Sequence, residues 1–412
     1  MTTKSYRFNW DEKVIVGILA FLQFTIILDF MILSPLGAIL MESMKISTSQ
    51  FGLVVSGYAF AAGAGGLFTA GFADRFDRKK LLLFFYCGFL IGTLLCGLVD
   101  SYNFLLAARI LTGLFGGVIG SIVFSITTDL FPYHARGQVM GIIQTAFAAS
   151  QILGIPAGLY LSANGNWHLP FLAIVSCGVV VGVVIYFKMA PMVGHLASGR
   201  RDSPWHHLQV TFSSRRNLQA FATVALLSTG GYMLMPFGSA FAVNNLGISL
   251  KNLPFVYMVS GFAAIFTGPL IGKSADRYGK FRLFVLGSTL SMIMVLVYTN
   301  LGPTTWPWLT LVNVILFIGI SGRVIPAQAL ISAVPAKENR GSFMAVSSSL
   351  QQISGGFAAA LAGALVEKQA DGHLDHFSRI GYFVVGASLI TMAMMSQIRK
   401  EIPQETEGAS GP

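Results

Sequence analysis

Apolar runs of about 20 residues recur twelve times along the chain, each long enough to cross a hydrocarbon core of about 30 Å as a helix. They lie near residues 14–40, 50–72, 81–100, 103–130, 137–162, 168–190, 217–243, 253–275, 282–301, 306–333, 342–366 and 379–398. Between them the charged residues are sparse: 11% of the chain, against roughly 25% in a soluble domain whose surface must face water. No soluble fold of this size hides so much apolar surface. The runs predict an all-α membrane protein with twelve transmembrane helices. Pro35, Pro156, Pro236, Pro269 and Pro326 lie within them, which membrane helices tolerate because neighbouring helices satisfy the freed backbone groups.

Lys and Arg set the expected orientation, because basic residues accumulate in cytoplasmic loops. With both termini cytoplasmic, 21 of the 27 basic residues fall on the inner side and four (Lys45, Lys251, Lys368, Arg379) on the outer side. Two, Arg109 and Arg323, lie inside spans. The net charge of +10 is thus spread over short loops rather than gathered on one patch, which argues against nucleic acid as a partner. Compact loops and the lack of an Asn-x-Ser/Thr site in any outer loop point to a bacterial inner membrane.

The longest polar stretch, residues 191–216, divides six spans from six. It predicts an N-terminal bundle over 1–190, a cytoplasmic linker, a C-terminal bundle over 217–400 and a disordered tail over 401–412. Two loop patterns repeat across it. Gly71-Phe-Ala-Asp74-Arg75-Phe-Asp77-Arg78-Lys79 follows span two, and Gly272-Lys-Ser-Ala-Asp276-Arg277-Tyr-Gly279-Lys280 follows span eight. Arg136-Gly137 follows span four, and Arg340-Gly341 follows span ten. Asp74 and Asp276 are 202 residues apart and Arg136 and Arg340 are 204 apart, so the halves are related repeats, as in many transporters.

The Gly71-x-x-Asp74-Arg75-x-x-Arg78-Lys79 loop resembles the signature of the major facilitator superfamily, and the resemblance covers essentially the whole chain. Arg109-x-x-x-Gly113-x-x-Gly116-Gly117 in span four and Leu28-Asp29 through Pro35 in span one are similar to motifs of that superfamily's drug:proton antiporters. Gly154-Ile155-Pro156-Ala-Gly158 is a loose version of their span-five motif, and Trp167-His168 through Phe171 resembles the opening of their span six. His168 stands where the family has Arg, and Asp77 where it has Gly. The resemblance implies two pseudo-symmetric six-helix bundles and alternating access to a central site.

Within that picture Gly71, Asp74, Arg75, Arg78, Asp129, Gly272, Asp276 and Arg277 are the expected gate residues. An acidic side chain adds nothing to the positive-inside bias; Asp74 can instead accept from a helix N-terminus of the other half, in span eleven. Arg78 and Arg75 could cluster with Asp129 behind it. Asp29 is placed near mid-membrane, where a carboxylate costs several kcal/mol unless paired, protonated or wet. Arg109 is the sole base within the N-terminal spans and its natural partner. Competition between burial and that cation lets such a carboxyl bind and release a proton. Arg323 lies too deep for easy snorkelling, so its expected partner is a charged substrate or a polar group of span seven or eleven. Gln144, Gln151, Tyr232, Gln351 and Gln352 are the candidate cavity polars. Gly117, Gly120, Gly154 and Gly158 suggest close helix contacts.

No nucleophile–base set, metal-ligand spacing or phosphate-binding loop occurs, so no enzyme activity, metal or cofactor is expected. The expected function is proton-coupled export of a small organic compound by a monomer in the lipid bilayer. Alternatives are a facilitator or importer of an anionic metabolite and, from another class, a non-transporting scaffold or sensor. A single deep carboxylate against two arginines favours neutral, amphipathic or anionic substrates.

Overall fold

The computed structural model describes residues 8–69, 76–162, 166–193, 212, 214–335 and 340–401. Twelve spans follow in order. Span one is Trp10–Ile32 continued by Gly37–Ser43; span two Thr48–Thr69; span three Arg78–Cys96; span four Tyr102–Leu130. Span five runs from Tyr133–Ala149 through a π turn, Ser150–Gly154, into Ile155–Ser162, and span six is Leu169–Lys188. Span seven is Arg215–Leu234 and Gly238–Asn244 around a 3-10 turn, Met235–Phe237. Spans eight to twelve are Leu253–Tyr278, Lys280–Thr299, Trp306–Ile331, Arg340–Leu365 and Phe377–Glu401. A two-stranded hairpin, β1 (Glu367–Lys368) and β2 (Leu374–Asp375), joins the last two.

Local chemistry sets the ends. Asn9 accepts from the Glu12 N–H at 2.8 Å while Glu12 accepts from the Asn9 N–H at 2.9 Å, a capping box that starts span one. Gly279, at φ 95°, turns span eight into span nine with a backbone that only glycine adopts cheaply.

Among the described residues, eleven helices are long and apolar enough to cross a membrane on their own composition. Span eleven is the exception, interrupted by Ser347-Ser348-Ser349 and Gln351-Gln352. At 26 residues it still reaches about 39 Å, and part of its small and polar face is covered by span two. A Cβ on Gly52 would lie 2.9 Å from the Ala359 carbonyl, and one on Gly63 2.8 Å from the Ser349 carbonyl. The Ser56 hydroxyl donates to the Gly356 carbonyl at 2.8 Å. This is close small-residue packing between the halves.

The two ends of the molecule differ. Spans one and seven break at matching places, around Pro35 and Pro236, where proline removes a helix donor. There the Ser34 hydroxyl donates to the Met235 carbonyl, and the Ser239 hydroxyl donates to the Ser34 carbonyl at 2.7 Å. The Thr48 hydroxyl adds a bond to the Val366 carbonyl. Residues 33–41 are all buried, and one apolar cluster there draws on both halves, from Met31 and Phe51 to Phe237 and Ala359. This end is closed.

At the end carrying the basic loops the apolar clusters are separate, one built by spans of the first half and the other by spans of the second with Leu67 packed against it. No residue from 262 to 274 in span eight is buried. Only 17% of that span's apolar window is buried, against 56% for spans one and two. The halves part toward this end.

The expected glycine contacts hold in part. A Cβ on Gly117 would meet Ala62, and on Gly154 and Gly158 the side chains of Leu28 and Ile32. Gly120 has nothing within 4 Å and makes no such contact.

Candidate functional site

Asp29 occupies the last turns of the first helix of span one, within a run of large apolar residues, and its exposure is 0%. Arg109, 1% exposed, projects from the first third of span four. Its Nη1 donates to Asp29 Oδ2 at 2.8 Å and lies 3.4 Å from the Asp29 carbonyl. The Thr93 hydroxyl of span three donates to the other carboxylate oxygen at 3.1 Å. The guanidinium lies over the Tyr58 ring of span two, 4.4 Å from its centroid, a cation–π contact strengthened by desolvation. One carboxylate thus joins four spans of the first half.

The pair was legible from charge alone. Thr93 and Tyr58 were not: the Thr93 hydroxyl also reaches the Phe89 carbonyl at 3.0 Å, as any helical threonine does, so its type carries no signal.

The next residue, Phe30, reaches from the Tyr58 ring toward the second half. Its ring lies 5.3 Å from Tyr58 and 5.7 Å from Tyr232 of span seven. The Tyr232 hydroxyl donates to Gln352 Oε1 in span eleven. A small void of about 20 Å³ sits here beneath the closed end, lined by Phe30, Leu33, Ser34, Val55, Tyr232 and Met235, with Pro236 at its edge. A chain of aromatic contacts therefore runs from the buried ion pair to the interface between halves. Gln151 is buried in the π turn of span five, against Gly261 of span eight. Gln144 and Gln351 are exposed at mid-span, 207 residues apart.

Arg323 is 4% exposed and differs from Arg109 in its company. Its Nη1 donates to the Ser388 hydroxyl of span twelve at 2.7 Å and its Nη2 to the Leu227 carbonyl of span seven at 3.1 Å. The expected partner in span seven is present, as a backbone carbonyl. The one in span eleven is replaced by span twelve, because Arg323 points into the second bundle. Among the described residues no carboxylate lies within ion-pair distance of it.

Of the expected gate, Gly71, Asp74 and Arg75 lie outside the described residues. Arg78 Nε pairs with Asp129 Oδ2 at 3.1 Å, joining the start of span three to the foot of span four. Arg136 caps that foot, donating to the Phe131 and Thr128 carbonyls at 3.0 and 2.7 Å. In the second half Asp276 lies 3.9 Å from Lys280 one turn on, Arg277 lies over the Tyr278 ring, and Gly272 meets no neighbour within 4 Å. No metal-binding group of His, Cys, Asp or Glu occurs among the described residues.

A family model described as Major Facilitator Superfamily matches residues 19–360. Two uncharacterised MFS-type transporters of Bacillus subtilis (strain 168) align over nearly full length. YceJ is 23% identical over 381 residues, 92% of this chain and 94% of that protein; YbcL is 23% identical over 394 residues, 94% and 98%. A bacterial homologue of the human lysosomal transporter Spinster, inward-facing and occupied, superposes with a TM-score of 0.76 at 15% identity, covering 98% of this chain and all of that one. A D-xylose–proton symporter superposes at 0.74 with 15% identity, covering 97% of this chain and 99% of the other. At such identities the solved structures speak for the fold.

Proposed function

Because this chain belongs to the major facilitator superfamily, and so is a multi-pass membrane transporter rather than an enzyme, we propose that it exports a small organic compound in exchange for protons. The observation that carries this reading is the Asp29–Arg109 pair, fully buried in the first bundle on the helix that also lines the interface between halves. A fixed ion pair could hold spans together, but a carboxylate is an expensive way to do so in lipid. Its distinctive capacity is to take a proton.

The proposed coupling is as follows. When Asp29 is ionised, Arg109 and Thr93 hold span one against spans three and four. A proton on Asp29 cancels the charge attraction and leaves Arg109 with Tyr58 and the Asp29 carbonyl. Span one is then free to shift, and Phe30 shifts with it against Tyr232. Proton state is thereby linked to the aromatic wall between the halves. With the basic loops cytoplasmic, the state described here opens inward; the exposed Gln144 and Gln351 face the cleft, because a glutamine has no partner in lipid, and Gln352 joins that wall through its bond to Tyr232. The substrate class that suits an aromatic, glutamine-bearing wall is neutral and amphipathic. In proteoliposomes, compounds found by ligand-induced stabilisation should be driven by a pH gradient. Gradient-driven flux that survives in Asp29→Asn contradicts the coupling.

A second reading, uptake of an anionic metabolite, is favoured by one observation, that among the described residues Arg323 meets only a hydroxyl and a backbone carbonyl and no carboxylate. It predicts that Arg323→Gln abolishes transport of anions, whereas the export reading leaves flux of neutral compounds in place.

A further inference from the structure

Asp77 stands where the superfamily signature has glycine, and the function proposed above gives it no part. Its φ of −54° requires no glycine. The carboxylate, nearly buried, accepts twice through Oδ1: from the Lys79 N–H at 2.9 Å, capping span three, and from the Met192 N–H at 2.9 Å. The Arg78 N–H returns a bond to the Met192 carbonyl at 3.3 Å. Lys79 Nζ adds a bond to the Tyr186 carbonyl at 2.8 Å, near the end of span six. Met192 is the point at which the chain leaves span six for the second half, and its side chain packs in the same apolar cluster as Met189 and Ile185.

These contacts sit on the residue whose neighbour makes the gate pair. Arg78 reaches Asp129 from a backbone fixed on one side by its bond to Met192 and on the other by the helix cap. Glycine at 77 would remove both carboxylate bonds and leave the Arg78 backbone freer to turn.

We propose that Asp77 is a positioning residue for transport: it clamps the root of the inter-half linker to the start of span three and so holds Arg78 on Asp129. The chain gains by this a gate that moves as one piece with the linker root. The proposal rests on the transport reading only in its kinetic consequence, and the clamp itself can be read separately.

The test compares wild type, Asp77→Gly and Asp77→Asn, full-length in nanodiscs. Asparagine keeps the accepting oxygen. Hydrogen exchange followed by mass spectrometry should show the peptide holding the Met192 amide exchanging about tenfold faster in Asp77→Gly, the loss of a charge-assisted bond, and near the wild-type rate in Asp77→Asn. The second arm labels Leu130 and Tyr278, substituted by cysteine in a background without native cysteines, and follows their separation by stopped-flow fluorescence after an acid pH jump. Asp77→Gly should slow that change several-fold without moving its midpoint pH, and Asp77→Asn should restore the rate. Unchanged exchange at Met192 overturns the clamp. Faster exchange with an unchanged rate overturns the positioning role. A wild type that does not respond to the jump contradicts the proton coupling proposed above, and exchange at Met192 still decides the clamp.

Discussion

Each half of the molecule buries one arginine in its fourth helix, and the two are held in different ways. Arg109 meets a carboxylate, a ring and a backbone carbonyl; Arg323 meets a hydroxyl and a backbone carbonyl. In the first half charge is compensated by a group that can be switched off by one proton. In the second half the cation is solvated by dipoles that do not titrate. Under the proposed coupling, the difference gives the proton chemistry to the first bundle and leaves the second as the body against which it moves. It also warns against transferring a role between repeats: Gly113 and Gly116 correspond to Gly319 and Gly322 at an offset of 206, which sets Arg323 opposite Gly117, about 12 Å from the level of Arg109.

The comparison can be broken by substitution. The largest expected effect is on Arg109. Arg109→Leu strands a buried carboxylate and should cost about 3–5 kcal/mol, read as a fall in melting temperature and in detergent-stable yield. In a double-mutant cycle, Asp29→Asn with Arg109→Gln should cost less than the sum of the singles; simple additivity would mean the pair is not coupled. Arg323→Met should stay within about 1 kcal/mol of wild type, since it removes a charge that no carboxylate among the described residues meets, along with two hydrogen bonds. A loss as large as that of Arg109→Leu would reveal a counter-charge and erase the contrast between halves.

Smaller effects sharpen it. Tyr232→Phe deletes the bond to Gln352 and should change stability by about 1 kcal/mol, while slowing transport of whichever compound the stabilisation screen selects. Ser34→Ala and Ser239→Ala each remove one bond of the closed end, about 1 kcal/mol apiece. They should raise the fraction of molecules opened at that end, measured by spin-label distances between spans one and seven. No shift in either would show that apolar packing alone keeps it shut.

How far the sequence foretold this varies by kind of interaction. The twelve spans were legible because length and apolarity are properties of the chain itself, and span eleven was found despite its serines. Asp29 with Arg109, and Arg78 with Asp129, were legible because charges inside or beside a membrane have few possible partners. Tyr58 and Thr93 were not, since aromatic and hydroxyl side chains are common in these helices. The partners of Arg323 were half hidden, because a carbonyl such as that of Leu227 belongs to every residue. The reciprocal serines at the breaks were invisible for the same reason, and Pro35 and Pro236, among several prolines that membrane helices tolerate, did not by themselves announce a break. Asp77 showed as a departure from a family pattern, but its grip on Met192 depends on where span six ends.

The central claim is that a proton on Asp29 moves the halves. Spin labels at Leu130 and Tyr278, at the feet of spans four and eight, report the opening at the basic end without any substrate. Between a neutral and an acid pH the wild-type distance distribution should change if a proton on Asp29 drives the halves. Asp29→Asn should give one distribution at both pH values, resembling the wild type in acid. A variant whose distances still follow pH as the wild type does would place the proton elsewhere and contradict the account.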